Sequence, residues 1–173
     1  MHFLRISASF VVLAFISFVC ASHTPQISFA EELPSEPQWP GKKIVILVDE
    51  TPVGFINYAQ LNSSFGWYAL YELFIHPEYR SNGYAKELIK HTCDTLVKSG
   101  ARKIFIQPGP FELGDQGQII EIEDRAERLK NLVRLYSGSG FAPASKWLRV
   151  IAVPMYKIAG IPENPDYLMV FSV

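Results

Sequence analysis

Arg80, Gly83 and Ala85 stand at the spacing Arg-x-x-Gly-x-Ala within "EYRSNGYAKEL", residues 78–88. The stretch lies between an apolar run closed by Pro77 and a run with helical spacing. Glycine leaves the backbone open to a ligand, and alanine keeps the first helical turn clear. The N–H groups at a helix start have no acceptors within the helix, and the helix dipole makes them attractive to anions. An arginine at the rim adds a mobile cation with bidentate reach. Such a turn suits a phosphate cradle, and the same residues also suit an ordinary turn into a helix.

Other chemistries find less support. His2, His23, His76 and His91 are scattered, with neither an HExxH pattern nor a Cys/His cluster, so no metal is expected. Ser137 and Ser139 lie among glycines but form no Gly-x-Ser-x-Gly, and they fit a helix end better than a nucleophile. A net charge of −1 argues against a nucleic-acid partner, which calls for a strongly basic surface. With 173 residues, 49% of them hydrophobic, the chain suits one domain with a substantial core.

Several elements must position the turn. "KIVILVDE", "VGFINYAQL" and "WYALYELFIHP" read as three strands with short connections, which argues for an antiparallel meander. After the turn, Ala85, Leu88, Ile89, Thr92, Cys93, Leu96 and Val97 share one face of a helix. Lys86, Lys90, His91, Asp94 and Lys98 take the other face, and Gly100 supplies the stop. "RKIFIQP" is the next strand, followed by a loop over residues 109–118. A second helix aligns Ile122, Ala126, Leu129, Val133 and Tyr136 and ends within residues 137–140. "KWLRVIAVPMYKI" and "DYLMVFSV" are expected as two strands around a proline-rich turn. The predicted order β-β-β-α-β-α-β-β describes a mixed α/β domain over residues 43–173.

The N-terminus has a different character. Arg5 precedes an uncharged apolar run over residues 6–21, small residues follow at Ala21 and Ser22, and Pro25 comes soon after. This layout predicts a signal peptide over residues 1–22, or an anchor if it is not cleaved, and export of the remainder. A membrane partner is expected only through this segment. Its removal takes out Cys20 and leaves Cys93 alone, so no internal disulfide is possible. Residues 23–42 carry Pro25, Pro34, Pro37 and Pro40 and read as a linker or arm, within which "QISFA" suits a brief strand.

Taken together, the strand, turn and helix of "LFIHPEYRSNGYAKELI" resemble the central motif of the GNAT superfamily of acyl-CoA-dependent N-acetyltransferases. "LVRLYSGSGF", residues 132–141, resembles its second hallmark, a Leu-Tyr pair before Gly-Phe, and the strand "KIFIQP" lies between the two. The resemblance implies a twisted, mostly antiparallel central sheet flanked by helices. It implies acetyl-CoA as co-substrate, without a metal, and an amine acceptor that is a small molecule or a protein. Backbone amides from Ser81, Asn82, Gly83, Tyr84 and Ala85 would hold the coenzyme pyrophosphate, with Arg80 beside them. The strand around Phe74 and Ile75 would pair with the pantetheine arm and polarise the thioester, in a slot opened by its splaying from "KIFIQ". Tyr136 matches the tyrosine that protonates the leaving thiolate; as a residue alone it equally suits a core aromatic. Glu72 is the candidate base, with alternation setting Glu72 and Phe74 on one face and Tyr71, Leu73 and Ile75 on the other.

The chain also departs from the family. No pair of helices precedes the second strand, so the N-terminal helices are reduced. Leu129 stands where many relatives carry asparagine. The long loop "GPFELGDQGQ" offers Phe111, Glu112 and Asp115 to close the acceptor pocket instead. An exported relative with a reduced pocket also suits a second reading, a catalytically silent binding module, secreted or tethered.

Overall fold

The computed structural model describes residues 24–33, 40–109, 112–113, 119–120, 124–161 and 167–173. Its first strand, β1 (Ile27–Glu32), lies inside the segment expected as an arm. β1 pairs antiparallel with β2 (Lys42–Val48), Ile27 opposite Val48 and Glu32 opposite Lys43, so the sheet starts before residue 43. Side chains fasten it. Tyr58 donates its hydroxyl to Glu31 at 2.6 Å, and the Lys42 ammonium meets the same carboxylate at 2.6 Å. The Phe29 ring stacks on His91 at 3.8 Å, so His91 packs against β1 instead of facing solvent with the lysines.

The expected meander is formed by β2, β3 (Thr51–Asn62) and β4 (Trp67–Ile75). Asp49 and Glu50 make the first turn with φ of 48° and 67°, the two left-handed residues that match the twist of a tight hairpin. The sheet continues after α1 (Tyr84–Lys98) with β5 (Lys103–Ile106), which runs parallel to β4. A small hairpin, β6 (Glu112–Leu113) with β7 (Ile119–Ile120), leads to α2 (Arg125–Ser137). Asp124 caps that helix by accepting the Glu127 N–H at 2.8 Å. Then come β8 (Ala142–Pro143), α3 (Lys146–Ile158) and β9 (Met169–Ser172). The seven-stranded sheet has the order β1-β2-β3-β4-β5-β9-β8 and is antiparallel except at β4–β5.

One expected strand is a helix. "KWLRVIAVPMYKI" forms α3, with Ser145 as its cap and Ala152 and Tyr156 buried one turn apart. Val150, Ile151 and Val153 carry strand preference and Pro154 interrupts the run, so local propensity points away from a helix although the apolar residues recur with a helical period. Pro154 sits inside it and removes one backbone donor.

The sheet has a core on each face. Ile44, Ile46, Ile56, Leu70 and Ile104 meet Leu88, Ile89 and Leu96 of α1, with Tyr136 of α2 in the same cluster. Ala59, Ala69, Phe105 and Leu168 meet Ala152 and Tyr156 of α3 on the other face. Cys93 is buried in the first cluster, and burial pushes its thiol up to about 12. The β1–β2 connection, residues 33–41, is too short for two helices. Among the described residues, no helix is long and apolar enough to cross a membrane.

Candidate active site

The site begins with a fault in the sheet. Asn57 pairs with Glu72 but Tyr58 pairs with Leu70, leaving Tyr71 as an extra residue in β4. Such a bulge bends its strand. β5 follows β4 only through the pairs from Trp67↔Lys103 to Leu70↔Ile106. Beyond Leu70 the edge of β4 has no strand partner among the described residues, which leaves a gap in the ladder between β4 and β5. The bulge also breaks the expected alternation. Tyr71 packs in the α3-side cluster, with its hydroxyl on Pro40 O at 2.6 Å, whereas Leu73 and Ile75 pack on the opposite face.

The turn into α1 stands at the end of this gap. After the short helical turn Pro77–Tyr79, Ser81 and Gly83 both take left-handed backbone, φ 65° and 83°. A left-handed serine is sparsely populated and marks a turn held by its surroundings. Asn82 holds it, donating Nδ2 to Tyr79 O and Arg80 O at 3.2 Å, and its side chain does not line the cavity described below. Arg80 Nε donates to Ile75 O at 3.0 Å, so the expected mobile cation is tethered to the end of β4. Gly83 O accepts from the Lys86 and Glu87 N–H groups, and among the described residues no side chain caps the helix. Helix geometry leaves the Tyr84 and Ala85 N–H groups without an intrahelical acceptor.

These parts enclose a cavity of about 350 Å³. Phe74 and Ile75 line it from β4, and Arg80, Ser81 and Gly83 from the turn. Tyr84, Ala85 and Lys86 line it from the start of α1. Across it stands α2, with Arg128, Leu132 and Leu135 on one helical face. Among the described lining residues the charges are Arg80, Lys86 and Arg128, and no carboxylate joins them. Arg128 was not singled out from the sequence. Its signal is there in retrospect, two helical turns before Tyr136 on the face that also carries Leu132.

A second, smaller cavity of about 80 Å³ shares Leu73, Arg128 and Leu132 with the first. Glu72 and Tyr136 both line it, together with Gln107 and Tyr71. Glu72 accepts from Asn57 Nδ2 at 2.5 Å, a cross-strand contact that aims the carboxylate; Asn57 is another residue the sequence reading passed over. Tyr136 is 5% exposed, and burial raises the pKa of its phenol well above the ordinary tyrosine value, Arg128 opposing slightly. The Tyr71 phenol is pushed up to about 12, by burial first and the Glu72 charge second. The structure thus brings Glu72 and Tyr136 to one small space beside the cationic slot. Phe111 and Asp115 lie outside the described residues, as does the Glu112 side chain. Among the described residues, no group of three His, Cys, Asp or Glu is arranged to hold a metal.

Residues 14–111, more than half of the chain, match the acetyltransferase (GNAT) family. A comparison with curated proteins found no matching sequence. Among solved structures the fold is similar to an acetyltransferase of the GNAT family from Staphylococcus aureus Mu50, with a TM-score of 0.52 at 14% identity. That match covers 76% of this chain and 67% of the other. Tetrahymena GCN5 is similar with a TM-score of 0.50 at 15% identity, over 76% of this chain and 68% of the other. At such identities the likeness concerns the fold, and the family match carries the rest: the chain belongs to the GNAT acetyltransferase family and is an acyltransferase.

Proposed function

We propose that the protein transfers an acetyl group from acetyl-CoA to an amine by direct attack. The observation that carries this reading is the slot itself, in which Arg80, Lys86 and Arg128 are the charges among the described lining residues, at the start of α1 beside a stretch of β4 with no strand partner among the described residues. An anionic ligand with an extended amide-bearing arm fits that chemistry, since the turn offers N–H donors to phosphate and β4 offers a backbone ladder.

The residues divide the work as follows. Backbone amides of residues 81–85 hold the pyrophosphate, and Arg80 and Arg128 balance its charge from opposite sides. The β4 backbone at Phe74 and Ile75 pairs with the arm and orients the thioester carbonyl. Glu72 takes a proton from the acceptor amine, which attacks the thioester carbon. As the C–S bond breaks, Tyr136 gives its proton to the departing thiolate. The products are an amide and a free thiol. The 80 Å³ space between Glu72 and Tyr136 admits the amine end of an acceptor, so the remainder of a small molecule or a protein lies outside it.

Calorimetric titration with acetyl-CoA tests the reading. The parent protein should bind, and Arg128→Ala should bind about tenfold more weakly, a loss of ~1.4 kcal/mol. Absence of binding to the folded parent overturns the proposal. Binding without thiol release across small-molecule and protein amines would leave a coenzyme-binding module.

A further inference from the structure

The outward face of α3 is apolar where a surface helix is ordinarily polar. Trp147 is 71% exposed, Val150 62% and Ile158 86%, with Pro154 exposed between them. Their spacing of three, four and four residues sets them in one stripe along the helix. The inward face is already used, since Leu148, Ala152 and Tyr156 pack on the sheet. An exposed apolar stripe of this length calls for a second apolar or interfacial layer, and none covers it among the described residues.

Charge identifies the missing layer. Residues 146–158 contain Lys146, Arg149 and Lys157 and no acidic residue. Arg149 is turned inward, its Nε donating to Ala144 O at 3.0 Å, whereas Lys146 and Lys157 are exposed near the two ends of the helix. We propose that this face of α3 docks the protein on an anionic lipid surface, with Trp147, Val150 and Ile158 entering the headgroup layer and the lysines meeting lipid phosphates. An exposed tryptophan beside aliphatic residues and flanking cations is the composition of an in-plane membrane helix. A second copy fits less well, because a two-fold contact through the stripe would bring the lysines of both copies together without a carboxylate on α3. Docking also leaves the coenzyme slot open, since that slot is lined from β4, α1 and α2 on the other side of the sheet.

Co-sedimentation of the full chain with vesicles of phosphatidylcholine, alone or mixed with phosphatidylglycerol, tests this. Residues 1–22 remain in every variant, so their own membrane affinity is common to all. The parent should bind the anionic vesicles about tenfold more tightly than the neutral ones. Lys146→Glu with Lys157→Glu should abolish most of that excess. Trp147→Ser, Val150→Ser and Ile158→Ser together should weaken anionic binding by about tenfold or more, with acetyl-CoA titration as an independent check of each variant. If both variants bind the two vesicle types as the parent does, the proposal fails. It fails equally if the parent sediments as a dimer that the apolar triple variant splits, because a second copy then covers the face.

Discussion

Gly83 combines a φ of 83° with open space where a Cβ would project. A side chain there meets no protein atom; it meets only backbone strain and whatever occupies the slot. Gly83→Val should therefore leave the fold intact and lower acetyl-CoA affinity about tenfold or more in calorimetry, ~1.4 kcal/mol; equal affinity in a folded variant removes the cradle from the mechanism. Tyr136→Phe keeps the ring against Phe141 (centroids 6.2 Å) and deletes the hydroxyl. Turnover should fall ~10²-fold with coenzyme affinity unchanged. Burial disfavours the phenolate, so the parent's kcat should also show no loss from this group as pH approaches ~10, the ordinary tyrosine value. Unchanged turnover with lower stability would assign Tyr136 to the core alone. The turn was legible in the sequence because its chemistry is local, a glycine and an arginine a few residues apart. Arg128 and Asn57 were not, because each acts on a partner far along the chain that only the α2 packing and the β3–β4 register bring near.

Among the elements, α1 was legible and α3 was not, for one physical reason. α1 holds no proline and closes at Gly100; α3 is amphipathic too, with Lys146, Arg149 and Lys157 gathered on one side, but its Val150, Ile151 and Val153 and its internal Pro154 point toward a strand. Its inner face carries a further oddity. The Tyr156 hydroxyl is fully buried without a hydrogen-bond partner among the described residues. Tyr156→Phe removes that unsatisfied group at nearly constant shape and should raise stability by roughly 1 kcal/mol in urea unfolding; a loss of that size would reveal a partner. The brief strand expected at "QISFA" is β1, and its support is cross-chain. Lys42, and after it Tyr58, hold the Glu31 carboxyl below its usual 4.5. A carboxyl lowered by folding adds stability that is present above 4.5 and lost as pH falls through its folded value. Glu31 is well exposed, so Glu31→Gln should cost about 1 kcal/mol or less at pH 7, in parallel thermal melts. That difference should vanish in acid; a difference that persists there would assign the effect to packing.

At the scale of the molecule, the mixed α/β fold and the mostly antiparallel sheet were legible from the meander and the first helix. That the brief strand at residues 26–30 joins the sheet was not, nor was β8, which is two residues long. Residues 1–22 fall outside the described structure, and their proposed role is export. The full chain fused to a reporter active only outside the cytosol should give signal, and the released product should begin near Ser22 or His23. A reporter active only in the cytosol, with Met1 intact, would overturn this; export without cleavage would mean an anchor. The bulge at Tyr71 has one more consequence. Strands β1 to β4 and strands β5, β9 and β8 form two leaves, joined among the described residues by four residue pairs between β4 and β5. A coenzyme arm bound along the rest of that seam, as proposed above, would stitch the leaves together and act as a removable part of the scaffold. On that proposal its concentration would set how firmly the protein holds its shape, by about 2.7 kcal/mol when the ligand stands at a hundred times its Kd.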